Sequence, residues 1–335
     1  MIRIWLLLLL YYNSTLLVKS IKNIDTSATN DDFEWYDRIL NKFKCLFNSQ
    51  GSLYLYHMRK AAGTTIHNIM NTANLRYVSR EIYYTEGITL DNKLLNQQGL
   101  MTVTSFRHPI DRIISLYWYE HARFHYERDK SKIVTMNDWI DAWADGSNYK
   151  RNYILKNPTN VYVEVENYYT KVLSHWRGPE KVNLTHFHIA KANLKLFDII
   201  MICEWMQSMS QWNAIHAAFP GNQFQQGIYS NKGDPYIKTI LSSTCIINET
   251  SLNEKMIRLN TFDLLLFEYA LKLSARRLLQ IPELVARLKS SSSTSISTST
   301  KLVDTCTIDI NSNQTGSFQP KGHKGPRNHL RTNKL

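Results

Sequence analysis

The stretch Leu53-Tyr-Leu-Tyr-His-Met-Arg-Lys-Ala-Ala-Gly-Thr-Thr-Ile66 decides the fold that the sequence predicts. Its apolar and aromatic run at 53–56 is typical of a buried strand. Small residues then lead to Gly63, and Ile66, Ile69 and Met70 follow at the spacing of a helix. We therefore expect a strand, a tight loop and a helix in direct succession.

Two further units show the same order. Residues 101–106 predict a strand, and Pro109 stands where the first turn of a helix would begin. A third strand is predicted at 197–203, again followed by a helical pattern. Strands that alternate with helices predict an α/β fold with a central, mainly parallel sheet flanked by helices. Near the end of this region, an amphipathic helix is expected at 264–279, with Arg276 and Arg277 on its solvent side.

The two ends of the chain differ from this body. Residues 1–20 combine a basic start with an apolar run, which favours either a cleaved signal peptide or a short signal anchor. Residues 21–50 would form a stem, 51–282 the folded domain, and 283–335 a disordered tail rich in Ser, Thr and basic residues. Either interpretation of the N-terminal segment places the chain in the secretory lumen. Three glycosylation sequons in the body of the chain agree with that, at Asn183, Asn248 and Asn313.

The charge balance indicates anionic partners without choosing among them. Forty Lys and Arg residues against 28 Asp and Glu give a net charge of +12. Entry into the lumen argues against nucleic acid and leaves acidic glycans, phosphate-bearing nucleotides and membrane surfaces. Four scattered cysteines are too few for a disulfide scaffold and lack the CxxC spacing of a zinc site.

The loop after the first predicted strand has the composition of an anion site. A helix N-terminus presents main-chain N–H groups and a positive dipole end, and Ala62 and Gly63 allow a phosphate to approach the main chain closely. Lys60 adds a mobile positive charge, and Thr64 and Thr65 add hydroxyl donors. Because Lys60 precedes the glycine, the loop is not a Walker A motif. A tight turn with an exposed lysine is the competing interpretation.

A second anion site is predicted after the second strand. Arg107 stands at the strand end, and Ser115 follows eight residues later on the helix. The Arg107 guanidinium can bind a phosphate in a forked geometry while the Ser115 hydroxyl donates from the helix. Two anion sites at the carboxyl ends of parallel strands imply a ligand phosphorylated at two places. The alternative for Arg107 is a surface ion pair with Asp111.

With these two elements, the sequence resembles the Golgi carbohydrate sulfotransferases related to the heparan sulfate 2-O and 6-O enzymes. The 5′-phosphosulfate loop of that family is matched by His57, Lys60, Gly63, Thr64 and Thr65, and its 3′-phosphate element by Arg107, Pro109, Arg112, Ser115 and Tyr117. Further family-like stretches are Glu166-Asn-Tyr-Tyr-Thr170, Phe197-Asp198, the strand that ends at Glu204, and Phe267-Glu-Tyr-Ala270. The resemblance covers residues 51 to about 280.

The resemblance implies a P-loop-like sulfotransferase fold and transfer of a sulfuryl group from 3′-phosphoadenosine-5′-phosphosulfate to a glycan hydroxyl, without a metal. The residues that it assigns to the co-substrate are Arg59, Lys60, Ala62, Gly63, Thr64 and Thr65 in the loop, and Arg107 and Ser115 at the second element. Lys60 would also neutralise charge on the leaving phosphate oxygen. The implied location is the Golgi lumen, as a single-pass type II membrane protein held by the N-terminal segment, or secretion if that segment is cleaved. The acceptor glycan is not specified, although an acidic one would suit a basic chain.

The general base is where the sequence departs from the heparan enzymes, which use a histidine between the two phosphate elements. No histidine lies between Asn68 and Arg107. The acids in that interval include Glu86, followed by a glycine that indicates a turn, and Glu81. We expect Glu86 to act as the base, with Glu81 second and His67 a weaker alternative.

Two other functions remain open from the sequence. A lumenal glycosyltransferase would typically carry an Asp-x-Asp metal motif, which the sequence lacks. A non-catalytic polyanion-binding protein would explain the charge but not the two phosphate elements. His121 and His125 stand four residues apart on a predicted helix, but solvated histidines are favoured over a metal site there.

Overall fold

The computed structural model describes residues 30–47, 51–72, 77–82, 97, 99–144, 164–176, 180–206, 211 and 249–294. The helices and strands of these ranges, in chain order, are α1 (Asn30–Phe47), β1 (Ser52–Met58), α2 (Gly63–Thr72), β2 (Tyr77–Ile82), β3 (Leu100–Phe106), α3 (Pro109–Leu116), α4 (Arg123–Arg128), α5 (Met136–Ala144), α6 (Tyr168–Ser174), α7 (Leu184–Lys195), β4 (Ile199–Ile202), α8 (Glu249–Leu259) and α9 (Thr261–Thr294). A π-helical turn at Tyr117–Ala122 joins α3 to α4, and 3-10 turns lie at Lys130–Lys132 and Cys203–Trp205.

The four strands form one parallel sheet in the order β2-β1-β3-β4. All residues of β3 and β4 are buried, which is the pattern of parallel strands covered on both faces. Helix α9 packs against β4 as well as against α1, α6 and α7. The predicted α/β fold with a mainly parallel sheet is confirmed, and the three predicted strands correspond to β1, β3 and β4.

The order of the strands creates a switch point between β1 and β3. The chain moves from β1 to β2 on one side, and then returns to place β3 and β4 on the other side of β1. At such a point the connections leave neighbouring strands in opposite directions, and a crevice opens at their carboxyl ends. The two predicted anion elements follow β1 and β3, so they flank this crevice.

Strand β2 was not expected from the sequence. It contains the charged residues Arg80 and Glu81, which interrupt an apolar run, and it lies at the edge of the sheet. Charged residues are common on edge strands because they discourage pairing with another chain. In the ladder, Glu81 is the partner of His57 on β1, which brings one of the two candidate bases to the carboxyl end of the sheet.

Helix α1 occupies part of the segment that the sequence placed in a stem. Trp35, Ile39 and Phe43 recur at helical spacing and are all buried in the main core. The stem assignment is therefore wrong for residues 30–47. The helical spacing of these three residues gives α1 an apolar face, and that face packs in the core.

A buried carboxylate joins α1 to the sheet. Asp198, which precedes β4, accepts hydrogen bonds from the Lys42 ammonium at 2.7 Å and from both the main-chain N–H and the hydroxyl of Thr102 at 2.7 and 2.9 Å. Arg38 adds a further contact at 3.3 Å, and the Trp35 indole donates to the Asp198 carbonyl. Burial lowers the pKa of Lys42, an effect that the Asp198 carboxylate opposes. This cluster stabilises α1 against β3 and β4.

Helix α9 is longer and more deeply buried than the sequence indicated. It continues to Thr294, and Leu284 is fully buried, so the predicted disordered tail does not begin at residue 283. Arg277, expected on the solvent side, is buried and donates to the carbonyls of Phe197 and Lys195. The long aliphatic stem of arginine allows the side chain to pack inside while its guanidinium donates to main-chain carbonyls.

Two features bear on the predicted compartment. Cys45 is disulfide-bonded, whereas Cys203 is a free thiol. Among the helices described, none has the length and apolarity that crossing a membrane requires. The predicted N-terminal segment at 1–20 lies outside the described residues.

We predict that Asp198→Ala lowers the free energy of unfolding by about 3–5 kcal/mol, because it removes the carboxylate that faces the buried Lys42 ammonium. Denaturant unfolding measures the loss. The matched control is Glu268→Ala, which removes an ion pair with Lys272 whose side chains are 61% and 59% exposed, and should cost less than about 1 kcal/mol. Equal losses in the two variants would contradict the role assigned to Asp198.

Candidate anion-binding site

The loop between β1 and α2 has an unusual main-chain conformation. Lys60 and Ala62 both adopt left-handed conformations, with φ of 60° and 65°. Alternation of left- and right-handed residues turns successive N–H groups toward one concave side, and such concavities bind anions. The loop ends at Gly63, the first residue of α2, where the first-turn N–H groups have no acceptor within the helix. This conformation is compatible with the predicted main-chain contacts to an anion.

Gly63 is required by its neighbour His57. A methyl group at this position would overlap the imidazole of His57, which lies against the glycine. Two residues that the sequence matched to one motif are thus in direct contact. The His57 ring occupies the space that a side chain at position 63 would need.

Lys60 lies against an exposed aromatic ring. Its ammonium is 3.3 Å from the centroid of the Tyr119 ring, and Tyr119 is 44% exposed. Tyr119 belongs to the π-helical turn, and the Arg123 guanidinium is 5.8 Å from the same ring. π-Helical turns are rare and are found frequently at functional sites. The turn brings the helix after β3 into contact with the loop after β1.

At the end of β3, the main chain is already saturated by protein groups. The N–H of Arg107 donates to the Tyr169 hydroxyl at 3.1 Å, and that hydroxyl donates to the Arg107 carbonyl at 3.0 Å. The N–H of His108 donates to the Glu204 carboxylate at 2.7 Å, and its carbonyl accepts from the N–H of Arg112 at 2.9 Å. The half-buried Arg107 side chain is a cation placed at this strand end.

Glu204 adds a titratable group beside Arg107. It follows β4 within the 3-10 turn, and its neighbours include His108 and the Asp111 carboxylate. Partial withdrawal from water and, secondarily, Asp111 raise the pKa of Glu204 to about 7, while the His108 N–H and the Arg107 guanidinium lower it. Because Glu204 still has an exposed surface, solvent screens part of this effect. The net effect is a pKa of Glu204 that is raised toward neutral pH.

The Arg112 side chain packs inside the protein. One of its nitrogens donates to the Glu164 carbonyl at 2.9 Å, and the guanidinium lies 4.4 Å from the Tyr168 ring. Although the family-like motif includes it, Arg112 lies beneath the site and supports Tyr168.

The other predicted residues are distributed as follows. Arg59 and Thr65 are buried, and Ser115 is half-buried on α3. Thr64 lies in the first turn of α2, and Glu81 lies on β2. Glu86 lies outside the described residues. The structure thus brings the loop residues and Arg107 to neighbouring strand ends, which is the juxtaposition that the sequence predicted.

The histidine pair is packed and does not resemble a metal site. His121 is buried, its Nε2 atom accepts a hydrogen bond from the N–H of Val134 at 3.1 Å, and its ring lies 4.8 Å from that of His125. Burial lowers the pKa of His121 to about 4. The expectation that both histidines are solvated is wrong for His121, because the helix turns it toward the core.

Tyr168 and Tyr169 were missed as functional candidates. The Tyr168 hydroxyl accepts from the N–H of Arg59 at 3.0 Å, just as the Tyr169 hydroxyl bonds to Arg107. The sequence offered a signal, since both residues belong to the family-like stretch at 166–170, but nothing in their spacing showed which groups they contact. Glu204 was noted only as the end of a family-like strand.

Comparisons with protein-family models, with curated proteins and with solved structures yield no match for this chain.

We predict that Gly63→Ala destabilises the fold by about 1–3 kcal/mol, because the added methyl group forces the His57 ring to move. Denaturant unfolding at neutral pH measures the change. Ala62→Gly is the matched control in the same loop: relief of the left-handed conformation offsets the greater freedom of glycine in the unfolded chain, so its stability should stay within about 1 kcal/mol of wild type. A larger loss at Ala62 than at Gly63 would contradict this account.

We also predict a pH-dependent difference between wild type and Glu204→Gln. A carboxyl whose pKa is raised from 4.5 to about 7 on folding binds its proton more tightly in the folded state, so wild-type stability falls as pH rises across that window. Glutamine cannot titrate. The stability of the variant relative to wild type should therefore increase between these two pH values and level off above them, as measured by thermal unfolding. The exposed Glu254→Gln is the control, and a profile equal to that of the control would contradict the assignment.

Proposed function

We propose that the chain is a carbohydrate sulfotransferase with a P-loop-like sulfotransferase fold, acting on a glycan hydroxyl. The observation that carries the proposal is that the two predicted anion-binding elements follow adjacent parallel strands, on both sides of the switch point. Ligands of open α/β sheets bind at this position. The family-like motifs at both elements give the proposal its chemical content.

The residues present fit a nucleotide that carries phosphates at two positions. The loop with Lys60 and Ala62 in left-handed conformations would suit close contact between a phosphate and the main chain. The end of β3 offers instead the Arg107 side chain over a main chain that has its partners. Lys60, Gly63, Thr64 and Thr65 would hold the 5′ end of 3′-phosphoadenosine-5′-phosphosulfate, and Arg107 and Ser115 its 3′-phosphate.

The bound nucleotide would supply the sulfuryl group, whose bond to the phosphate oxygen breaks as a bond to the acceptor oxygen forms. Lys60 would neutralise the charge that develops on the released phosphate oxygen, and it lies at the rim of the loop against Tyr119. A carboxylate would take the proton of the acceptor hydroxyl. We propose Glu86 for this role, with Glu81 as the second candidate.

The proposed function also implies a cellular compartment. A disulfide at Cys45 is typical of an oxidising compartment, and it supports placement in the secretory lumen together with the three sequons. We propose a type II Golgi protein held by residues 1–20, or a secreted one if that segment is cleaved.

The test uses the full chain and adenosine 3′,5′-bisphosphate, the product of the proposed reaction. At 100 times its Kd, the nucleotide should stabilise the protein by about 2.7 kcal/mol, which thermal unfolding detects. Arg107→Ala should weaken this binding. Lys60→Ala and Glu86→Gln should retain detectable binding yet lose turnover of labelled phosphosulfate donor with a panel of acidic and neutral polysaccharides.

Several results would contradict the proposal in part or whole. The absence of a thermal shift at millimolar nucleotide would overturn the sulfotransferase function and favour a polyanion-binding protein. Normal turnover in Glu86→Gln together with loss in Glu81→Gln would transfer the role of base to Glu81.

A further inference from the structure

Two consecutive tyrosines connect the two anion-binding elements. Tyr168 and Tyr169 are the first residues of α6, and their hydroxyls bond to the residues that directly follow β1 and β3. Tyr168 accepts from the N–H of Arg59 at 3.0 Å, and Tyr169 bonds to both the N–H and the carbonyl of Arg107 at 3.1 and 3.0 Å. One short piece of main chain thus fixes both strand ends at the switch point.

The tyrosines have little freedom to move. Tyr168 and Tyr169 are 2% and 0% exposed, and their rings contact each other edge to face with centroids 5.4 Å apart. The Tyr169 ring stacks on Phe106 at 4.5 Å, and the Arg112 guanidinium lies 4.4 Å from the Tyr168 ring. A buried ring that is packed on both sides holds its hydroxyl at a fixed point.

The start of α6 is fixed as well. The buried Asp263 carboxylate accepts from the N–H groups of Tyr169 and Thr170 at 2.9 and 2.8 Å and from the Thr170 hydroxyl at 2.8 Å. The distance between the two tyrosine hydroxyls is therefore set by α9 and the core, and not by any ligand.

We propose that Tyr168 and Tyr169 are positioning residues that set the spacing between the two anion-binding elements. This inference rests on the proposed function. Tyr168 acts through the loop that starts at Arg59 and so affects the 5′-phosphate, whereas Tyr169 acts through Arg107 and so affects the 3′-phosphate. The fixed spacing makes the site select a nucleotide whose two phosphates are separated as in adenosine 3′,5′-bisphosphate.

The experiment measures the Kd of two ligands by calorimetry: adenosine 3′,5′-bisphosphate and adenosine 5′-monophosphate, which lacks the 3′-phosphate. Tyr169→Phe, which loses two hydrogen bonds, should raise the Kd of the bisphosphate about tenfold and that of the monophosphate by less than about twofold. Tyr168→Phe should raise both Kd values by the same factor, about threefold to tenfold. A purely structural role would not separate the two ligands in this way.

Ser274→Ala is the control. Its buried hydroxyl donates to the Ile200 carbonyl at 2.6 Å, so the variant also loses a buried bond to the main chain of the sheet, but on β4 and not at the ends of β1 and β3. Both Kd values should equal those of wild type.

A second measurement needs only the wild type, in case a variant does not fold. Adenosine 2′,5′-bisphosphate carries its second phosphate on the neighbouring ribose carbon. If the spacing is fixed, it should bind no more tightly than the monophosphate. Equal affinity for the 2′,5′ and 3′,5′ isomers would overturn the inference.

The outcomes separate this inference from the proposed function. Wild-type protein that binds no bisphosphate would overturn both. If the wild-type protein binds the bisphosphate but Tyr169→Phe changes both Kd values equally, or neither variant changes either Kd, the proposed function stands and the role of the tyrosines is overturned.

Discussion

The site depends on one reciprocal contact between two helix starts. Asp263, at the start of α9, accepts from the first N–H groups of α6, and Asn167, just before α6, accepts through its side chain from the N–H groups of Phe262 and Asp263 at 3.1 and 3.2 Å. Each helix thus satisfies donors that its own geometry leaves without acceptors. Burial raises the pKa of Asp263, while the Arg112 guanidinium opposes that shift. Asn167 adopts a left-handed conformation, with φ of 43°, to reach this position.

From this contact, support extends to the two strand ends in steps. The paired caps hold α6, and α6 presents two tyrosine hydroxyls to Arg59 and Arg107. The strands then end in different ways. The loop after β1 contains two left-handed residues, whereas the end of β3 has its main chain bonded to protein and presents the Arg107 guanidinium. Under the proposed function, the first element would contact one phosphate through its main chain and the second would bind the other through charge.

The sequence predicted the local parts of this arrangement well. Strand, loop and helix at 53–70 follow from short-range patterns, as do the strand before Arg107 and the parallel sheet, because parallel strands need helical connections between them. The order of the strands in the sheet did not follow from local patterns, because it depends on which strands pair over long distances in the sequence. For that reason β2, whose charges suit an edge, was missed, and Arg277 was placed in solvent although it is bonded to Phe197 and Lys195. The tyrosine contacts span 109 and 62 residues and have no local signature.

The saturated main chain at Arg107 and His108 has a consequence for the thermodynamics of binding. When a ligand orders flexible groups, their loss of conformational entropy lowers its affinity. Here the ordering of the β3 end is complete when the protein folds, because Tyr169, Glu204 and Arg112 already hold its four main-chain polar groups. Binding to the Arg107 side chain would therefore carry no entropic cost for ordering the main chain beneath it. The β3 end of the proposed site is therefore preorganised before a ligand binds.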